Sequence, residues 1–256
     1  MKLFKLIEKL NEKFPENICE PWDNVGLLAG DKNMEIKKVL LSLDVDSNTV
    51  DEAINQGVNL IISHHPLIFR PLKRITNDDI IGSRIIKIIQ NNIAIYAMHT
   101  NLDSSLGGLN DYVFKKMNID AKRIYITETT NMPLRYYELN KGLKLEEVIN
   151  TIKKNLNIQN LRVISRNFHK NIRRFALVTG SGMDFFNNVK DKVDLFITAD
   201  IKYHEAQDAL EYGIDMIDFG HLESEIYFVN LLEEYLMENT DLEISKYYVE
   251  KIFKFI

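Results

Sequence analysis

Between Lys38 and Met117 the sequence repeats one unit: a short apolar, often β-branched run, then small or polar residues, then a helical pattern. KVLLSL (38–43) leads through Asp46 and Ser47, either of which can cap a helix, into Val50, Ala53 and Ile54, and the pattern stops at Gly57. Leu60 to Ile62 reads as the next strand and a helix follows over 78–90. IAIYAM (93–98) is a third strand, and a further helix spans about 106–117. This alternation is the signature of α/β architecture.

After about Arg123 the pattern changes. YITETTNMPLRYYEL and LRVISR read as more exposed strands around a helix over 146–156. FALVT (175–179) resumes buried-strand character before Gly180, Ser181 and Gly182, and Leu195 to Thr198 and Met216 to Phe219 supply two more strands. A helix over about 222–237 keeps Ile226, Val229, Leu232 and Tyr235 at helical spacing, so one face must pack on something. The expected organisation is a first α/β domain of residues 1–124 together with 215–256, and a second of 125–214.

Composition narrows the chemistry. A 256-residue chain that is 45% hydrophobic can build its own core. Cys19 is the only cysteine, which excludes an intrachain disulfide, a four-thiolate zinc site and an iron–sulfur cluster, so any metal must be held by nitrogen and oxygen. The net charge of −5 argues against a generic phosphate-backbone binder. MKLFKLIEKLNEKF places a charge every three or four residues, which suits an amphipathic helix and not a signal peptide. The longest apolar stretches, such as 93–98, fall far short of the ~18 residues of a spanning helix. A cytoplasmic location is therefore expected. No internal repeat recurs at a fixed period, and low-complexity tracts are missing.

Ligands in open α/β sheets bind beyond the carboxyl ends of the strands. Ser63-His64-His65-Pro66 directly follows the strand at 60–62. The strand at 93–98 runs into His99-Thr100-Asn101-Leu102-Asp103, the one at 216–219 into Gly220-His221-Leu222-Glu223-Ser224-Glu225, and the one at 195–198 into Ala199-Asp200-Ile201-Lys202-Tyr203-His204. His221 and Glu225 are four apart at a helix start and can converge on one ion. Adjacent His64 and His65 diverge, which suits two metals side by side, particularly with a bridging glutamate. Taken singly, each feature has a plain alternative: an exposed His pair, Asp103 as the cap of the helix near Leu106, and a surface ion pair between His221 and Glu225. Their joint occurrence after three strands favours a metal site. Histidine with carboxylate suits zinc, iron, manganese, cobalt or nickel better than calcium or magnesium.

Smaller motifs surround these. Trp22, Asp23 and Asn24 read as a loop against the site, although Trp22, the sole tryptophan, fits slightly better as a core anchor. His99, Asp200, Lys202 and His204 are candidates for orienting ligands or moving protons. Gly180-Ser181-Gly182 can offer backbone N–H groups to an anion but lacks the Gly-Lys-Ser/Thr of a P-loop.

PWDNVGLLAGD (21–31), SHHPLIF (63–69), HTNLD (99–103), TADIKYHEA (198–206) and GHLESE (220–225) occur in this order along the chain. Together they resemble the NIF-three-like dinuclear metal-centre family, whose members are commonly named GTP cyclohydrolase 1 type 2 homologues. The resemblance covers essentially the whole chain. It implies that His64, His65, Asp103, His221 and Glu225 bind two divalent ions, with Glu225 as the bridge. It also implies two interleaved α/β domains assembled into a ring-like homohexamer whose metal sites face an internal cavity. The implied activity is hydrolysis of GTP at C8 of guanine, giving formate and 7,8-dihydroneopterin triphosphate, with His99, Lys202 or His204 moving protons. Longer members carry an inserted middle domain for which this chain has no room. The competing expectation is a non-enzymatic ring that binds a regulatory partner or nucleic acid, with structural metals. The charge disfavours nucleic acid, though Lys170, Arg173, Arg174 and Lys192 could cluster. Metal storage is a third possibility.

Overall fold

The computed structural model describes residues 1–124 and 132–255. The part of YITETTNMPLRYYEL that covers 125–131 lies outside the described residues. In chain order the elements are α1 (Leu3–Lys13), β1 (Gly26–Ala29), β2 (Lys38–Ser42), α2 (Ser47–Asn55), β3 (Leu60–Ser63), α3 (Ile80–Gln90), β4 (Ala94–Ala97), α4 (Thr100–Ser104), α5 (Leu109–Met117) and β5 (Ala121–Ile124). They continue with β6 (Arg135–Lys144), α6 (Leu145–Asn155), β7 (Arg162–Ile164), β8 (Asn171–Ser181), α7 (Phe186–Val189), β9 (Leu195–Ala199), α8 (Tyr203–Glu211), β10 (Asp215–Asp218), α9 (His221–Glu225), α10 (Tyr227–Asn239) and β11 (Glu243–Tyr247). The chain divides into two compact units, residues 1–105 with 228–252, and residues 106–227 with those from 253 on.

The first unit holds a sheet in the order β1-β4-β3-β2-β11. β4, β3, β2 and β11 run parallel, and β1 closes one edge antiparallel. Leu40, Ile61 and Ile95 pack into one core cluster with Val50, Ala53, Ile85 and Ile88 of α2 and α3. The intervening Val39, Leu41, Leu60, Ile62, Ala94 and Tyr96 are buried as well. Burial on both faces explains why these strands read as unbroken apolar runs. Of the two candidate caps for α2, Asp46 does the work: its carboxylate accepts the Thr49 N–H at 2.7 Å. The register sets Ser42 beside Ser63 and Ser63 beside Ala97, so β2, β3 and β4 end level with one another.

The second unit holds the sheet β5-β6-β8-β9-β10-β7. β8, β9 and β10 are parallel, while β5, β6 and β7 pair antiparallel. Tyr136, Ala176, Phe196 and Met216 from neighbouring strands form its core with Val189, Ala209 and Ile214. Ser181 lies beside Ala199 and Thr198 beside Asp218, so these parallel strands also end together.

The structure shifts several sequence boundaries. The helix expected over 106–117 begins at Leu109, because Gly107, at φ +73°, and Gly108 break it from the short α4. Asp103 sits inside α4, not at the start of the helix expected near Leu106; the residue before α5 is Gly108. The expected domain limits at 124/125 and 214/215 fall at 105/106 and 227/228 instead. β5 and β10 are hydrogen-bonded into the second sheet, and Asn110 of α5 accepts the Thr179 N–H of β8 at 2.7 Å. Among the described residues no helix is long and apolar enough to cross a membrane.

Candidate functional site

Level strand ends place polar residues together in each unit. In the first, His64 and His65 follow β3, Asp44 follows β2 and His99 follows β4. One ligand nitrogen from each of His64, His65 and His99 lies within 4.8 Å of the others. His64 is fully buried and donates from Nδ1 to the Met98 carbonyl at 2.8 Å. His65 donates from Nδ1 to Asp44 Oδ1 at 2.7 Å, and His99 from Nδ1 to Asp23 Oδ1 at 2.9 Å. Carbonyl and carboxylate oxygens only accept, so Nδ1 carries the proton in each ring and the lone pair lies on Nε2. α4 brings buried Asp103 to the same place, its Oδ1 3.8 Å from His64 Nε2. That helix is fixed by the side-chain amide of Asn101, which donates to the Phe14 carbonyl at 3.0 Å.

In the second unit His221 and Glu225 open and close α9 directly after β10. His221 donates from Nδ1 to Asp200 Oδ2 at 2.6 Å, and Asp200 follows β9 in a left-handed conformation (φ +55°). The Ser224 hydroxyl accepts the Gly180 N–H at 2.9 Å and donates to the His221 carbonyl at 2.8 Å, tying α9 to β8. Gly180, at φ +62°, leaves room for Glu225: a Cβ there would lie 2.0 Å from its Oε1. His221 Nε2 and Glu225 Oε2 are 2.9 Å apart. With the ring proton on Nδ1, two lone pairs meet at that distance, an arrangement that calls for a proton or a metal cation between them. The donor set of each unit, oriented imidazole with a nearly buried carboxylate, thus fits a divalent transition metal.

The remaining sequence candidates lie as follows. Lys202 precedes α8, its side chain 83% exposed and 3.7 Å from Glu205, and His204 is exposed with its ring edge-on to Tyr203. The Gly180-Ser181-Gly182 segment is no anion cradle, because the Gly180 N–H goes to Ser224 and the Gly182 N–H to Thr198 Oγ1 at 2.9 Å. Trp22 is not a core anchor but 56% exposed. Asp44 escaped the sequence reading although it obeys the same strand-end rule, since its neighbour Asp46 supplies the cap signal.

Asp23 holds the edge of the first cluster. It accepts from His99, from the Thr100 N–H at 3.0 Å and from the Thr100 hydroxyl. Burial alone would raise its carboxyl, but the hydrogen bond and charge of His99 and the two Thr100 donors prevail, bringing it from the ordinary 3.8 down to about 2. A depressed carboxyl contributes stability above its unfolded value, and that contribution disappears as pH falls from about 4 to about 2. Asp23→Asn should therefore lose roughly 1 kcal/mol at pH 7, after discounting for partial solvent screening. In urea titrations the gap from wild type should shrink below pH 4 and close near pH 2. A gap that persists at pH 2 would contradict this.

The profile of the Duf34/NIF3 (NGG1p interacting factor 3) family matches residues 1–252. A Clostridium perfringens protein named GTP cyclohydrolase 1 type 2 homolog is 38% identical over 249 residues, 96% of this chain and 95% of that one. A Helicobacter pylori protein named GTP cyclohydrolase 1 type 2 is 34% identical over 229 residues, 89% of this chain and 88% of that one. The crystal structure of a Staphylococcus aureus hypothetical protein superposes with a TM-score of 0.88 at 31% identity, covering 100% of this chain and 99% of that one. The mixed α/β fold with two sheets and the ordered histidine motifs have the same origin: this chain belongs to the Duf34/NIF3 family.

Proposed function

We propose that the protein is a metal-dependent hydrolase of GTP, opening the guanine ring at C8 to release formate and leave 7,8-dihydroneopterin triphosphate. The observation that carries this reading is the common orientation of His64, His65 and His221, each with Nδ1 donated to an oxygen so that Nε2 is the nitrogen that would meet a cation. His64, His65, Asp103, His221 and Glu225 would hold two divalent ions. Membership of the family supports a metal site, and the names of the relatives support the substrate. A homohexamer goes with the same reading.

Divalent ions held by such ligands supply Lewis acidity and activate water near neutral pH. The protein's own groups do the rest. Met98, Asp44 and Asp200 fix the ring planes and tautomers of three ligands before any ion arrives. His99 is better suited to move protons than Lys202 or His204, because its ring lies with His64 and His65 and its Nδ1–H is held by ionised Asp23. That pairing stabilises the imidazolium formed when His99 Nε2 takes a proton.

The test measures bound metal by elemental analysis and formate release from GTP, for wild type and Glu225→Ala. Wild type should bind close to two ions per chain and turn over GTP. The variant should remain folded by circular dichroism, lose bound metal and lose at least about a hundredfold in turnover. Metal-replete wild type that releases no formate would remove the hydrolase reading and leave the ligand assignment standing.

A further inference from the structure

Two large aromatic side chains of the first unit remain exposed beside His99 although the chain around them is tied down. Trp22 and Phe69 keep 56% and 45% of their surface open. Their ring centroids are 5.8 Å apart, and they stand 6.1 Å and 6.4 Å from His99. All three contacts are edge-to-face, with interplanar angles of 66°, 70° and 77°. None of these rings stacks face-to-face on another of the three.

The residues flanking the two rings are fixed. Asp23, next to Trp22, is bound to His99 and Thr100. The Glu20 N–H donates to Thr100 Oγ1 at 2.9 Å, holding the other side of the loop. Asn24 donates from its side chain to the carbonyl of Ile68, the residue before Phe69, so the two ring-bearing loops are joined. An apolar ring held out in water by a rigid support gains nothing for folding; for binding, the ordering cost is already met. The loop after Phe69 carries Arg70, Lys73 and Arg74, all exposed, and none of them forms an ion pair among the described residues. In a chain of net charge −5, three cations within five residues give one loop the opposite sign.

We propose that Trp22 and Phe69 form the stacking subsite for the heteroaromatic ring of a nucleotide, beside His99, and that Arg70, Lys73 and Arg74 take its phosphate tail. This names a recognition device for the substrate class of the preceding reading and rests on it. It also supplies the basic groups that an anionic substrate requires and that composition alone conceals.

Trp22 is the only tryptophan, so intrinsic emission reports on this one position. The full-length, metal-loaded protein is titrated with GTP, guanosine and inorganic tripolyphosphate. GTP and, more weakly, guanosine should quench Trp22 saturably. Tripolyphosphate should compete with GTP without comparable quenching. Phe69→Ala should weaken GTP and guanosine about ten- to hundredfold. Lys73→Ala combined with Arg74→Ala should weaken GTP and leave guanosine unchanged. Absence of saturable quenching by both guanosine-containing probes would overturn the subsite, as would emission that shifts with protein concentration alone, which would show a second copy covering the rings. Quenching without formate release would keep the subsite and sink the hydrolase. Formate release with unaltered emission, and an unchanged KM in Phe69→Ala, would do the reverse.

Discussion

Replacing Gly180 with alanine should lower the affinity for divalent metal by about ten- to a hundredfold while the protein stays folded. The added Cβ would lie 2.0 Å from Glu225 Oε1 and 3.6 Å from the Cε1 atom of His221. The clash is with the tip of a side chain, so the backbone need not move; the carboxylate must swing away from its position next to His221. Alanine also has to adopt φ +62°, at a cost of about 1–2 kcal/mol. Gly213→Ala separates the two effects. Gly213 has φ +75° but nothing within 4 Å of its would-be Cβ, so that variant bears the backbone cost alone. Urea denaturation should find the two variants similarly destabilised, and calorimetric metal titration should find only Gly180→Ala impaired. Equal metal affinity in both would refute the role assigned to Gly180.

The second large effect concerns stability. Asp111, on α5, accepts from the Gly107 N–H at 2.7 Å, from Arg123 Nη1 at 3.0 Å and from Arg135 Nε at 3.0 Å. The side chain of Arg135, the first residue of β6, is fully enclosed; it also donates to the Met132 carbonyl. Breaking a buried pair by removing one partner leaves an uncompensated charge, which costs about 3–5 kcal/mol. Asp111→Ala should lower the urea midpoint accordingly, with the slope of the transition unchanged. Arg135→Met should cost less, because it preserves volume and leaves Asp111 its contact with Arg123. The reverse ranking would show that packing around Arg135, not charge, governs this part of the second unit.

Gly180 shows where local sequence stops being informative. Gly180 was legible as a glycine after a strand, and its N–H groups suggested an anion. Its actual task, clearing space for Glu225 from 45 positions further on, follows only once α9 is docked on β8. Asp200 was legible as a residue near the site, but its bond to His221 needs β9 and β10 side by side. Trp22 was misread because a lone tryptophan is usually worth burying; the hydrogen bonds of Asp23 and Asn24 hold it out instead. β11 was not foreseen, since EISKY alternates weakly and finds its place only by parallel pairing with β2 across 200 residues of chain.

The sequence by itself determined the α/β class, the positions of the main strands and the histidine motifs at their ends. Those depend on local matters: side-chain period, β-branching, caps, and the adjacency of a strand end to the residues after it. Tertiary structure alone decided which oxygen holds each histidine, which glycine makes room for Glu225, which aromatic rings stay exposed and where the two units divide. Each of these is a contact between residues distant along the chain, and no local pattern records the register in which two strands will pair.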